Sequence, residues 1–175
     1  MTSDQILAEN LTLFRDELFW HYTLINEDFN RSRKAEKPDA DALAGKASFL
    51  VVAQSYLNHI DCILDGIEQR PEKWNTLSDE NEIKFCTSLI LKNTFNAVAE
   101  ATQKDTFIEQ AYEVAHSESD LISESQLTSG FKTALEWIED TVNMSEQLIE
   151  ENRKKIAGAE KAVQDAMQKN KPWVH

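Results

Sequence analysis

The chain has 175 residues, 41% hydrophobic and 28% charged, and 18 basic against 31 acidic side chains give a formal net charge of −13. Four glycines and three prolines are too few for a disordered, collagen-like or many-stranded chain, while the apolar fraction is that of an ordinary globular domain. The acidic surplus argues against direct nucleic-acid binding, which needs a basic footprint to neutralise phosphates.

The N-terminus, Met1-Thr2-Ser3-Asp4, has neither the basic start nor the continuous apolar stretch of a signal peptide. The longest aliphatic runs, such as Phe49–Ala53, fall far short of the ~20 residues of a membrane span. A cytoplasmic protein with no membrane partner is therefore expected. Cys62 and Cys86 have no CxxC motif and no metal-finger spacing, which predicts reduced core thiols.

In chain order, Leu7, Leu11, Phe14, Leu18, Tyr22, Ile25 and Phe29 recur every three or four residues, the stripe of an amphipathic helix. Thr2 with Gln5 predicts a capping box, and Arg31, Arg33 and Lys34 suit the negative end of the dipole before Pro38, so helix one is placed at residues 3–34. Asp39 is the expected cap of a second helix ending near Arg70-Pro71. Its two apolar stripes, one through Leu43, Leu50, Leu57 and Leu64 and one through Phe49, Val52, Tyr56 and Ile63, predict a helix at the centre of a bundle. Residues 71–77 read as a loop carrying Trp74, and Ser78 with Asp79 and Glu80 as the start of a third helix to about Thr102. Asp105 caps a short fourth through Phe107, Ala111, Tyr112 and Ala115, after which Ser117–Ser125 reads as a polar linker in which Leu121 and Ile122 need cover.

From Leu135, steps of three and four through Ile138, Val142, Ser145, Ile149, Asn152, Ile156, Ala159, Val163 and Ala166 predict a sustained heptad seam. One helix from about Ser129 to Lys169 would be roughly 60 Å long, more than a bundle of this size can cover. The expected fold is all-α: a four- to five-helix bundle core in residues 1–128 and a long C-terminal helix in 129–175, partly projecting or self-associating into a homo-oligomer, together one domain.

The charge is segregated. Residues 105–151 hold 12 acids and one base, Lys132, whereas residues 152–175 hold two acids and six bases. Such a field attracts a complementary surface and speeds its capture. The reading is a non-enzymatic interaction protein, such as an inhibitor, immunity protein or adapter, that binds a basic protein partner. The expected contacts are Glu109, Glu113, Glu118, Asp120, Glu124, Glu136, Glu139, Asp140, Glu146, Glu150 and Glu151, with Trp173 near the C-terminus as an aromatic anchor. An antiparallel second copy could pair the basic end with the acidic stretch. Trp20 and Trp137 flank apolar stripes and read as packing anchors.

Two alternatives concern chemistry. Glu113-Val-Ala-His116 has the ExxH spacing of carboxylate-bridged metal bundles, but the chain has no second ExxH. Glu17 one turn before His21 and Cys62 three residues after His59 are further pairs at helical spacing. Arg15-Asp16 followed by His21 resembles the arginine–histidine motif of HEPN domains, all-α ribonucleases and nucleotide-binding modules of toxin and defence systems. That resemblance implies an Arg15 that holds a phosphate and a His21 that transfers a proton in attack by an RNA 2′-hydroxyl, across a dimer. In that family the motif lies late in the domain, whereas here it lies in the first helix. No GxGxxG, phosphate-loop or GxSxG motif occurs, and no cofactor is expected.

Overall fold

Six α-helices and one 3₁₀ helix, with no strand, make up the described residues of the computed structural model, 2–70 and 79–170: α1 Ser3–Ser32, α2 Ala40–Glu68, α3 Glu80–Ala101, α4 Asp105–Ala115, the 3₁₀ helix His116–Leu121, α5 Glu124–Asn143 and α6 Ser145–Lys169. The all-α expectation holds. Trp74, Ser78 and Trp173 lie outside the described residues.

Local chemistry sets most boundaries. Thr2 Oγ1 accepts from Gln5 N at 3.2 Å and Gln5 Oε1 accepts from Thr2 N at 2.7 Å, the reciprocal box that starts α1. Asp39 caps α2 through Ala42 N at 3.3 Å, and Asp79 caps α3 through Glu82 N at 2.9 Å. Lys104 occupies the cap position of α4 and Asp105 is its first residue, so the carboxylate acts on the helix dipole rather than as the cap.

The helix α2 is central, packed most extensively on α5 and α1 and also on α4 and α3. Both of its stripes turn inward: Leu43, Leu50, Val52, Tyr56, Leu57 and Ile60 are buried, and Phe49, Ile63 and Leu64 are half-buried against the core. Tyr56, with no exposed surface, donates its hydroxyl to Leu91 O at 2.8 Å and so ties α2 to α3. Where α2 crosses α5 the contact is made by small residues, and Ser48 Oγ donates to Leu127 O at 2.9 Å beside Gly130.

The C-terminal third differs from expectation. The stretch read as a polar linker holds the 3₁₀ helix and the first residues of α5, which begins at Glu124 rather than Ser129. A second capping box, Ser123 Oγ accepting from Gln126 N at 3.2 Å and Gln126 Oε1 accepting from Ser123 N at 2.8 Å, starts it there. Gln126 Nε2 also donates to Asp41 Oδ1 at 2.6 Å, which fixes the start of α5 against the start of α2. Ser123→Ala is expected to cost about 1 kcal/mol, read as a lower urea midpoint with an unchanged slope. Ile122 is buried whereas Leu121 remains exposed.

The single long helix is two. Met144, at φ −96° and ψ 7°, leaves α-helical geometry between α5 and α6. The heptad count runs through this residue because each half packs on the bundle with the same spacing, α5 on α2 and α3 and α6 on α1. Ile138, Val142, Ser145 and Ile149 are buried within one chain, Asn152 donates Nδ2 to Leu13 O at 3.4 Å, and every residue from Lys154 to Asn170 is exposed.

Two further expectations are corrected. Trp20 is 59% exposed, because its position turns it away from α2 while its neighbour Phe19 stacks on Tyr22. Cys62 is exposed and Cys86 half-buried; both are free thiols, and only Cys86 packs against the core.

Candidate functional site

The eleven candidate acids fall on four elements: Glu109 and Glu113 on α4, Glu118 and Asp120 on the 3₁₀ helix, Glu124, Glu136, Glu139 and Asp140 on α5, and Glu146, Glu150 and Glu151 on α6. On α4 the apolar residues Phe107, Ala111 and Ala115 turn inward, and Glu109 and Glu113, one turn apart, are left in water. On α5 the buried face runs through Leu127, Phe131, Ala134, Ile138 and Val142, which leaves Glu136, Glu139 and Asp140 together on the outer face. Ten of the eleven are exposed. The exception, Glu118, is half-buried and lies 3.9 Å from Arg33 Nε.

The α6 acids sit elsewhere. Glu146 and Glu150 face Lys84 at 4.0 Å and Lys154 at 3.9 Å. With Glu9, Asp79, Glu80 and Glu151 they line a groove of about 1580 Å³ between the starts of α1, α3 and α6. Arg153 fastens one side of it, pairing with Glu9 Oε1 at 3.2 Å and donating to Asn10 Oδ1, while Asn10 Nδ2 donates to Thr87 Oγ1 at 3.3 Å. None of the candidate acids of α4, the 3₁₀ helix or α5 borders this groove, so the acids contiguous in sequence do not all line one surface feature.

The structure does not bring Arg15 and His21 to a common point. Six residues separate them on α1, an axial distance of about 9 Å and a turn of about 240°. Arg15 Nε donates to Asp61 Oδ1 of α2 at 3.0 Å, Nη1 lies 3.5 Å from Asp16, and the guanidinium covers the Phe19 ring. The hydrogen bond to Asp61, with the charges of Asp61 and Asp16, raises the Arg15 pKa further. His21 Nε2 instead meets Glu17 Oε1 at 3.4 Å, as the helical spacing predicts, and its ring lies edge-on to Trp137 at 4.8 Å.

Glu113 and His116 both border a cavity of about 640 Å³ between α1, α2 and α4, with Arg33 and His59. Among the described residues no group of three or more His, Cys, Asp and Glu side chains could hold a metal ion. His116 has φ 52°, the one positive value at a non-glycine among the described residues. It ends α4 and redirects the chain into the 3₁₀ helix, a backbone geometry that costs a side-chain-bearing residue of order 1–3 kcal/mol.

Spacing did not reveal the cleft of about 720 Å³ where α1 and α5 flank α2. Phe49 and Trp137, at 5.3 Å edge to face, and His21 form its aromatic side, while Gly45 and Gly130 leave room along it. Lys46 is held at its edge by Asp28 at 2.9 Å and Ser32 at 2.9 Å. The hydrogen bond from Lys46, with the charge behind it, pulls the Asp28 carboxyl below its ordinary pKa. The sequence signal for this cleft was Trp137 itself, which read only as a packing anchor and does pack half-buried against the core.

No helix among the described residues is long and apolar enough to cross a membrane. The molecule is thus an all-α bundle with a charged surface and a projecting terminal helix. Comparison with protein-family models, curated proteins and solved structures finds no match.

Proposed function

We propose that this protein is a non-enzymatic interaction module whose acidic surface docks a basic protein partner, as an inhibitor, immunity protein or adapter does. The observation that supports the reading is the state of seven carboxylates: Glu109, Glu113, Asp120, Glu124, Glu136, Glu139 and Asp140 are all exposed. Among the described residues none of them pairs with a lysine or arginine of the chain. Negative charge left without internal neutralisation raises the capture rate of a basic surface, and salt weakens that effect. A cytoplasmic setting fits the two free thiols.

The ribonuclease alternative needs Arg15 and His21 on one phosphate, and each is engaged by a different helix. Replacing Glu113, Glu136 and Glu139 by Gln and Asp140 by Asn is expected to reduce capture of partners from native lysate at least tenfold at low salt, with a small change at high salt. Undiminished capture by this quadruple variant would remove the reading. RNA degradation by the wild type that is lost in His21→Ala would favour the enzyme instead.

A further inference from the structure

We infer that a second copy of this chain covers the projecting half of α6, in an antiparallel pair that sends each arm along the other's α6 toward the acidic groove at its base. This uses Glu146, Glu150 and Glu151 and does not depend on the seven carboxylates of the proposed partner surface.

The first observation is the arm. From Lys154 to Asn170 no residue is covered, over about 25 Å of helix. Yet Ile156, Ala159, Val163, Ala166 and Met167 keep the spacing of a buried stripe, with Ile156 47%, Val163 58% and Met167 61% exposed.

The second observation is charge, which selects the occupant and its direction. Residues 1–151 carry −17 and residues 152–175 carry +4. A parallel pair sets the two acidic bodies side by side, whereas an antiparallel pair lays each basic arm against the other copy's acidic body. Within the heptad, Ile156 and Val163 occupy a positions and Asn152, Ala159 and Ala166 occupy d positions. One antiparallel register sets Ile156 across from the second copy's Ala159 and brings Glu160 to the level of the second copy's basic run Arg153–Lys155. It also carries the end of each arm, with Lys169, to the level of the second copy's acidic stretch Glu146–Glu151. The register one heptad further out opposes Glu160 to Glu160 and Lys155 to Lys169, like charges in both cases, so it is disfavoured.

The test is sedimentation equilibrium of the full chain with two sets of variants. The wild type is expected at twice 20.0 kDa, and Ile156→Gln with Val163→Gln, which alters only exposed side chains, at the single-chain mass with an unchanged circular dichroism spectrum. Glu150→Lys with Glu151→Lys is expected to weaken association at least tenfold at low salt. On a Cys62→Ser background, a mixture of Lys155→Cys and Ala162→Cys chains is expected to form a mixed disulfide, and Ala166→Cys alone none. A wild type that stays monomeric at micromolar concentration, or an Ala166→Cys homodimer, would overturn the proposal.

Discussion

Gly130→Leu is expected to destabilise the fold by about 3 kcal/mol, the largest effect of any single change considered. A β-carbon at Gly130 would lie 2.6 Å from Ser48 Oγ, 2.8 Å from Ser48 Cβ and 3.2 Å from Ala44 O. None of these atoms is the free end of a flexible side chain. Ser48 Oγ is held by its bond to Leu127 O, and Ala44 O belongs to the backbone of α2. Accommodating a side chain means moving α5 away from α2, and that contact is among the most extensive in the bundle. Gly45 is the control, because a β-carbon there meets nothing within 4 Å. Gly45→Ala should stabilise by up to about 1 kcal/mol through helix propensity. Urea unfolding of the two variants measures both shifts, and a Gly130→Leu midpoint equal to wild type would mean that the crossing is looser than the distances indicate.

Above about pH 10 the fold should lose up to ~1.4 kcal/mol per pH unit because of one phenol. Burial pushes the Tyr56 hydroxyl well above the ordinary tyrosine pKa. The unfolded chain therefore releases this proton at a lower pH than the folded one does. The contribution is complete below the unfolded value and falls as pH rises toward the folded value. Phenolate also cannot donate to Leu91 O, so ionisation breaks the tie between α2 and α3. Tyr56→Phe should cost about 1 kcal/mol near neutral pH by deleting that hydrogen bond. Its stability should then fall less steeply than that of the wild type through the alkaline range. Parallel slopes for the two proteins in urea titrations above pH 10 would remove Tyr56 as the source.

The first two-thirds of the fold was legible because its signals are local. Thr2, Asp39 and the stripes of α1 and α2 each lie within one or two helical turns of the boundary or face they determine. What was not legible depends on distant partners. Ser48 and Gly130 are 82 residues apart, and nothing near either marks the crossing they make. Met144 interrupts a helix without proline or glycine, because α6 is drawn onto α1 by Ile149, Asn152 and Arg153. Trp20 looked like an anchor by composition, but the neighbours it would need lie across other faces of α1. The acids were legible as a count along the chain, whereas their division between α4, α5 and α6 follows from how the helices pack.

The break at Met144 also makes the molecule divisible. The base of α6 takes its direction from contacts with α1, and among the described residues no buried side chain lies beyond Ile149. Trimming at Lys154 or Lys155 would therefore uncover no core side chain among the described residues, and the remaining body should keep its fold as a single chain while losing the surface that a second copy covers. The arm can thus change length, sequence or valency without any adjustment of the helices that carry it, as an interchangeable handle does on a fixed tool.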